Sequence, residues 1–366
     1  MAARRVPKRV LTARILLGRQ AVARLAPRVP SDVTTAALDR LLAILVAAQL
    51  ATGLLSLRAG SPPTAPLFVA HGLLGGALLV AVAIKLRRSV PGAVAARRWG
   101  RLALGSLLAA LTLAALAGGF AWVASGRILS IGPWTILTLH VWAALALVPI
   151  VAAHLVPRRW RLLRPRLRPR PGAPLISRRT LLASAAVGML GLAVWTAANL
   201  FDAAQGGVRR FTGSRWLPAG GVPPVTTFFG EGTPQIDHEA WRLNVRGRVA
   251  EPRSLSLGDL ASLGAADMRA VLDCTSGWVI DTVWNGIPLA AVLDVAAPTH
   301  DASGVTVRSV TGWYAHLPLD EARRAFLATG VAGGPLAPGN GAPLRLVAPD
   351  RRGLEWVKWI DEIQVT

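Results

Sequence analysis

The chain has 366 residues, enough for two domains, and its 52% hydrophobic against 16% charged content is unusual for a soluble protein. Its formal net charge of +22 is unevenly placed, since residues 1–200 hold 26 of the 41 Lys and Arg with two acidic residues, whereas residues 201–366 are nearly neutral. The composition predicts membrane spans. It argues against nucleic acid as a partner, because the charge lies beside hydrophobic runs and not on a folded basic face.

Five apolar segments are long enough to cross a bilayer, which requires about 20 helical residues. Their approximate bounds are 36–57, 67–86, 101–124, 134–157 and 180–201. Basic residues crowd one side of these segments, while the two short loops on the other side hold only Arg58 and Arg127. Retention of Lys and Arg in the cytoplasm then predicts a multi-pass protein of the bacterial cytoplasmic (inner) membrane. The N-terminus is expected inside, everything after residue 201 outside, and membrane lipid as a partner.

The resulting organisation has six parts: a basic cytoplasmic arm 1–35, a four-helix transmembrane domain 36–157, a basic cytoplasmic linker 158–179, a fifth helix 180–201, a tether 202–227 and a C-terminal domain 228–366. In the arm, Arg14, Arg19 and Arg24 alternate with apolar residues. This pattern fits an interfacial amphipathic helix, although a plain basic retention arm explains it as well.

The fifth segment begins with Ser177-Arg178-Arg179-Thr180-Leu181-Leu182, followed by a weakly hydrophobic run rich in Ala and Gly. The pattern looks like a twin-arginine export signal, which is read by a translocase for proteins that fold before export. It predicts that the domain after this helix is exported folded with its cofactor. Cytoplasmic retention charge is the alternative explanation of the two arginines.

Three histidines lie within the apolar segments, where an imidazole is costly and therefore a functional candidate. His71 and His140 fall at similar depths near the outer face, on two segments that run in the same direction. This placement predicts bis-histidine ligation of one haem b, with interhelical hydrogen bonding as the alternative. His154 lies deeper, but the matching position on the second segment is Lys85, so a second haem is not expected.

After residue 201 the sequence pattern changes to short alternations of apolar and polar residues, interrupted by Gly and Pro. Alternation at 241–245 and 305–307 indicates strands, and the runs at 219–221 and 338–341 indicate turns. These patterns predict an α+β domain with one core.

The segment Met268-Arg-Ala-Val-Leu-Asp-Cys-Thr-Ser-Gly-Trp278 resembles the strand and loop that present the metal-binding cysteine in the sulfite oxidase family of bacterial molybdopterin-dependent oxidoreductases. Its Cys-x-x-Gly-Trp form is more similar to bacterial periplasmic reductases than to animal sulfite oxidases. Further family-like segments occur in family order at 241–252, 255–260, 284–289, 317–322, 341–347 and 358–360. The implied fold class is multi-domain: an all-α transmembrane helical bundle, similar to a b-type cytochrome, followed by an α+β sulfite-oxidase-like molybdopterin-binding domain.

The resemblance implies a molybdenum–molybdopterin cofactor with Cys274, the single cysteine, as the thiolate ligand of molybdenum. An inert buried thiol is the alternative. Backbone amides of Thr275, Ser276 and Gly277 are expected near the ligand atoms. The pterin phosphate requires fixed positive charge, and the candidates are Arg345, Arg351, Arg352 and Lys358. Tyr314 and His316 are candidate proton donors, Tyr314 being the proposed catalytic partner of Cys274, although both also fit as surface-loop residues.

Two departures from the family pattern matter. Sulfite oxidases carry an Arg and His pair after an N-terminal Phe-Phe, whereas here Phe228-Phe229 is followed by Gly230-Glu231. An acidic residue at this place would repel an anion, so sulfite is not the expected substrate. The sequence ends at Thr366 without the immunoglobulin-like dimerisation domain of those oxidases, so dimerisation of that type is not expected.

Together these features predict a molybdopterin-dependent oxidoreductase that acts on an extracytoplasmic small-molecule substrate. It would exchange electrons with the quinone/quinol pool, or another electron carrier, through the membrane haem b. The direction of catalysis stays open. Alternatives are a repair enzyme similar to the methionine sulfoxide reductases of this family, and an anchored binding module that has lost its cofactor. A transporter is disfavoured, because the membrane centre holds no acidic residue.

Overall fold

The computed structural model describes residues 31–97, 99–155, 178–226 and 231–366. Several sequence features lie outside the described residues. They are most of the basic arm with its three alternating arginines, the linker up to Ser177 of the expected export signal, and the pair Phe228 and Phe229.

The N-terminal half is helical, and five of its helices are long and apolar enough to cross a membrane. The helices are α1 (Ser31–Ser56), α2 (Ala65–Ala95), α3 (Trp99–Ala124), α4 (Ile136–Leu155) and α5 (Arg178–Ala204). Two short strands, β1 (Ser130–Ile131) and β2 (Trp134–Thr135), form a hairpin between α3 and α4. Each helix coincides with one predicted apolar segment to within a few residues at its ends, apart from α2, which continues to Ala95, so the helical prediction is confirmed.

Helix α2 lies at the centre of the bundle, where it packs against α1, α3 and α5, while α4 packs against α3. Helices α2 and α5 meet at two glycines: a Cβ atom built on Gly76 would lie 2.2 Å from the carbonyl oxygen of Gly191. Small residues allow this close backbone approach, which brings the two helices into van der Waals contact. Toward the end of α2 farther from the C-terminal domain, Lys85 forms an ion pair with Asp39 of α1 at 2.6 Å.

The C-terminal half contains two mixed sheets with short helices, as the α+β prediction requires. The first sheet contains β3 (Arg215–Trp216), β6 (Ala266–Asp273), β7 (Trp278–Pro288), β10 (Phe326–Val331), β11 (Gly334–Pro335) and β12 (Arg345–Val347). The second contains β4 (Leu243–Gly247), β5 (Arg253–Leu255), β8 (Gly304–Ser309), β9 (Tyr314–Pro318) and β13 (Ile360–Val365). The helices are α6 (Leu257–Ser262), α7 (Leu289–Ala296) and α8 (Leu319–Ala322).

The alternating residues form the core of this half. Leu243 and Val245 on β4, and Val305 and Val307 on β8, are buried in one large apolar cluster. Most neighbouring strands are antiparallel, but β13 pairs parallel to β4 and β3 pairs parallel to β7. The long hairpin of β6 and β7 runs through the first sheet and carries the cysteine at its turn.

The segment expected to be a tether has more contacts than a linker needs. Its residues Arg215 and Trp216 form strand β3 beside Trp278 and Val279 of β7. Asp202, near the end of α5, accepts hydrogen bonds from Arg209 at 2.7 Å and from Arg215 at 2.8 Å. These buried ion pairs attach the C-terminal half to the end of the helical bundle.

Candidate functional site

Cys274 lies at the start of the turn that joins β6 to β7, here called the cysteine loop (residues 274–277). The amide of Gly277 donates to the carbonyl oxygen of Cys274 at 3.0 Å, and the amide of Cys274 donates to that of Trp278 at 2.9 Å. Gly277 has a φ of +101°, a conformation that favours glycine. The Oγ of Ser276 lies 3.0 Å from Sγ of Cys274 and can donate to a thiolate there. Thr275 is half-buried in the same turn.

A buried carboxylate holds the start of this loop. Asp273 is fully buried and accepts hydrogen bonds from Arg210 at 2.6 Å, Thr212 at 2.8 Å and Ser214 at 2.6 Å. Three donors to one carboxylate fix its position and compensate for its burial. The backbone next to Cys274 is therefore held by residues of the segment 202–227, which the sequence predicts to be a tether.

Two buried arginines lie beside the cysteine. Arg352 is 3% exposed and donates from Nη2 to the carbonyl oxygen of Cys274 at 3.2 Å. Arg345 is 4% exposed, donates to the carbonyl oxygen of Asn340 at 3.0 Å and lies over the ring of Trp284. Burial lowers the pKa of Arg345 to about 10, against the opposing effect of nearby Cys274, and it also lowers the pKa of Arg352.

Lys358 adds a third cation to this cluster. Its Nζ donates to the carbonyl oxygens of Thr226 and Gly339, both at 2.7 Å. Burial, with a further contribution from the charge of Arg345, lowers the pKa of Lys358 to about 8. Burying several cations side by side is costly unless an anion joins them.

The buried atoms that lack partners show what kind of ligand this pocket suits. Nε of Arg345, Nε of Arg352 and Oδ1 of Asn340 are buried without a hydrogen-bond partner. Nε of Arg352 still has an anion near it, since it forms an ion pair with Asp273 at 3.7 Å, whereas Nε of Arg345 has no such partner. Donors and an acceptor without hydrogen bonds, next to a thiol, match a group with anionic oxygens, ring N–H donors and a metal that accepts sulfur ligands. The residues present therefore fit molybdopterin.

The structure brings together Cys274, Ser276, Gly277 and the three cations Arg345, Arg352 and Lys358, which the sequence had proposed. Arg351 points elsewhere, since it binds Glu321 through two hydrogen bonds of 2.6 Å and Glu355 at 2.8 Å. All three of these hydrogen bonds go to carboxylates, so Arg351 is not placed to hold a phosphate.

Tyr314 and His316 lie apart from this cluster, on β9 at the edge of the second sheet. Tyr314 is 57% exposed and its ring contacts the guanidinium of Arg308. His316 Nδ1 shares a hydrogen bond with Thr306 at 3.2 Å. Both residues thus have the surroundings expected of surface residues, which was the alternative interpretation. The proton-donor role of Tyr314 stays a prediction.

Sequence reasoning missed two contributors to the pocket: Asp273 holds the loop, and Asn340 supports Arg345. Glu231, which the sequence indicated only as a charge unfavourable to anions, accepts a hydrogen bond from Thr311 at 3.2 Å, and its charge acts on Lys358. Asp273 could have been noticed as an acidic residue next to the cysteine. In the sequence, Asn340 was visible only as part of the turn 338–341. Its contact with Arg345, five positions later, depends on how the backbone folds back there.

His71 of α2 and His140 of α4 face each other inside the helical bundle, with ring centres 6.1 Å apart. His140 Nδ1 donates to the carbonyl oxygen of Ala115 at 2.6 Å. Thr52 donates its own proton to the carbonyl oxygen of Ala48, so its oxygen accepts from His71 Nδ1 at 2.8 Å. Both rings thus make these hydrogen bonds through Nδ1, the nitrogen that a metal-ligating imidazole uses when Nε2 binds the metal.

The separation of the rings also fits a shared metal. Two metal–nitrogen bonds of about 2 Å, plus the distance from each nitrogen to its own ring centre, add up to about 6 Å. Glycines allow the backbone to approach both rings: a Cβ at Gly53 would lie 3.3 Å from the His71 ring, and one at Gly119 would lie 3.1 Å from the His140 ring. The interhelical hydrogen bonds expected as the alternative are present too, and they leave the second nitrogens available.

The two-sheet half thus presents a buried thiol among buried cations. Residues 230–366 match the family model described as the oxidoreductase molybdopterin binding domain. The chain is 33% identical over 159 residues to the uncharacterized oxidoreductase YuiH of Bacillus subtilis, a match that covers 40% of this chain and 80% of YuiH. The chain therefore belongs to the molybdopterin-binding oxidoreductase family, and it is an enzyme.

Two further similarities are more partial. The catalytic subunit of the protein-methionine-sulfoxide reductase MsrP of Xanthomonas campestris is 39% identical over 142 residues, covering 34% of this chain and 44% of that subunit. The sulfane dehydrogenase SoxCD of Paracoccus pantotrophus has a crystal structure with 21% sequence identity and a TM-score of 0.35. That match covers 37% of this chain and 40% of the SoxCD chain. The chain thus spans less than half the length of either protein.

Proposed function

We propose that this enzyme is anchored in the bacterial cytoplasmic membrane, that its C-terminal half acts on an extracytoplasmic small-molecule substrate at molybdenum, and that it exchanges electrons with the quinone pool through a haem b in the helical bundle. The single observation that carries the catalytic part is Cys274, lodged beside Arg345 and Lys358 with buried hydrogen-bonding atoms still unpaired. A structural thiol needs no such surroundings.

In this proposal the chain's own residues hold and orient the cofactor. Cys274 supplies the thiolate, and the hydroxyl of Ser276 stabilises its negative charge from 3.0 Å. Lys358 and Arg345 bind the pterin phosphate, and Arg352 fixes the carbonyl group of Cys274. When bound, molybdopterin supplies the two-electron chemistry at the substrate. Glu231 near Lys358 disfavours anionic substrates such as sulfite.

The membrane part of the proposal rests on charge and on the histidine pair. The five helices have the length and hydropathy of membrane spans. In the sequence, the basic residues fall in alternate connections between these helices, which indicates that the C-terminal half lies on the opposite side of the membrane from them. His71 and His140 would hold the haem through Nε2, since each Nδ1 is already used. A single haem is proposed, because Lys85 at the deeper matching position is paired with Asp39. Export through the twin-arginine route belongs to the same proposal.

A second candidate function is repair of oxidised methionine. The observation that favours it is the identity of 39% to the MsrP catalytic subunit over 142 residues. In that case the substrate would be a sulfoxide, a neutral group that the acidic Glu231 would not repel. The candidate in which the chain only binds a ligand is disfavoured, because a retired site has no need of a thiol in the cysteine loop.

The test is purification of the full chain in mild detergent, followed by measurement of molybdenum, pterin and haem by elemental analysis and optical spectroscopy. Cys274→Ser is expected to abolish activity and keep the haem spectrum. His71→Ala is expected to lose the haem spectrum and keep activity with an artificial electron donor. Protein that lacks molybdenum yet performs its biological role would refute the catalytic proposal, and molybdenum-loaded wild-type protein without haem would refute the electron route.

A further inference from the structure

The outer ends of α3 and α4 press against the back of the cysteine loop. A Cβ atom built on Gly277 would lie 2.5 Å from the ring of Trp122 and 2.9 Å from a methyl group of Leu137. Beside this contact, Thr135 Oγ1 donates to the carbonyl oxygen of Ser276 at 2.6 Å. These separations leave no room for a layer of water between the loop and the bundle.

The same two helices carry His140 and its surroundings one turn deeper. Trp122 follows Gly119 by three residues, and the Cβ position of Gly119 lies 3.1 Å from the His140 ring. Leu137 precedes His140 by three residues on α4. Residues three apart lie on the same side of a helix, separated by about 4.5 Å along its axis. One helical turn therefore separates His140 from the residues that contact the cysteine loop.

Trp122 is held in place from the side of the C-terminal half. Its indole Nε1 donates to the carbonyl oxygen of Gly213 at 2.9 Å, and Arg215 donates to its carbonyl oxygen at 2.8 Å. The side chain is 2% exposed, so it is not an anchor in the lipid headgroup region, where tryptophan is otherwise common. Both partners belong to the segment attached by Asp202, which keeps the contact in one register.

We propose that Trp122 is a positioning residue that couples the histidine pair to the cysteine loop, so that electrons pass inside one chain without a separate carrier protein. The inference rests on the proposed function. In the reducing direction a quinol is oxidised to a quinone and releases two protons and two electrons. A haem held by His71 and His140 and a molybdenum held by Cys274 would supply the two redox centres, and Trp122 would fix their relative position. Two electrons passed one at a time, together with two protons, would reduce one substrate molecule.

The experiment measures electron transfer directly in the full, cofactor-loaded protein, without needing the substrate. A flash-activated ruthenium photosensitiser reduces the haem, and the decay of the ferrous absorbance is followed together with the molybdenum paramagnetic resonance signal. The variants are Trp122→Leu, Trp122→Phe and Thr135→Val. The matched control is Trp99→Leu, the same change in the same helix at an exposed position far from the loop.

Trp122→Leu is expected to slow haem-to-molybdenum transfer by roughly tenfold or more, since small misplacements of reacting partners have effects of this size. Trp122→Phe fills most of the space and should retain more of the rate, Thr135→Val should slow it less than Trp122→Leu, and Trp99→Leu should match the wild type. The haem content, the molybdenum content and the haem potential should stay unchanged in Trp122→Leu. If Trp122 had a purely structural role, slow transfer would be accompanied by a loss of cofactor or a change in the haem potential. Equal rates in wild type, Trp122→Leu and Thr135→Val would overturn the inference and leave the proposed function standing, whereas wild-type protein without haem would refute both.

Discussion

The ion pairs of Asp202 should dominate the attachment of the C-terminal half to the bundle. Its side chain is 5% exposed and pairs with Arg215, which is 4% exposed and whose Nε and Nη1 already lack partners. Asp202→Asn removes the negative charge but keeps the shape, and leaves the Arg215 guanidinium buried without an anion. Loss of one partner of a buried ion pair costs about 3 kcal/mol or more. For a domain of this size that corresponds to a fall of about 6–12 °C in the unfolding temperature.

The assay is thermal unfolding in mild detergent, followed by near-ultraviolet circular dichroism, to which Trp122 and Trp216 at the junction contribute. The matched control is Asp294→Asn, which breaks an exposed pair with Arg323 whose partners are 63% and 43% exposed. That change should cost less than about 1 kcal/mol. Equal losses in the two variants would refute the reasoning that burial makes the Asp202 pairs important.

Three further predictions concern the pocket. The pKa of Lys358 lies near 8, below its ordinary value, so the protonated form that binds phosphate is lost as the pH rises through about 8; molybdenum retained after gel filtration should fall above that pH, and Lys358→Arg, which stays charged, should remove this dependence. Asp273→Asn weakens three hydrogen bonds that hold the cysteine loop and should lower the molybdenum content, measured against an equal amount of Asp294→Asn protein. Gly277→Ala places a methyl group against Trp122 in a left-handed conformation and should destabilise the protein by about 1–3 kcal/mol in chemical unfolding; an unchanged unfolding midpoint would contradict the close contact.

Hydropathy was sufficient to predict the five apolar helices, because a helix of about 20 apolar residues is a local pattern that needs no partner to be visible. The strands at Leu243 and Val305 were visible for the same reason, since alternation within a few residues indicates one buried face. The candidate site followed from Cys274 and its neighbours in a contiguous motif. The sequence could not indicate that Arg351 binds carboxylates, because its partner Glu321 is 30 residues away in the sequence; phosphate binding by the other cations stays a prediction.

The sequence by itself determined the division into an apolar helical half and a mixed α+β half, and it named the cysteine, the cations and the two histidines. Tertiary structure alone decided how these groups face one another: the 6.1 Å between the rings of His71 and His140, and the contact of Trp122 with Gly277. The physical reason is the separation along the chain between the residues that make each contact. Periodicity and composition record the environment of each residue. Contacts between residues 69 positions apart, as for the two histidines, or 155 apart, as for Trp122 and Gly277, depend on how whole helices and sheets pack, which no local pattern encodes.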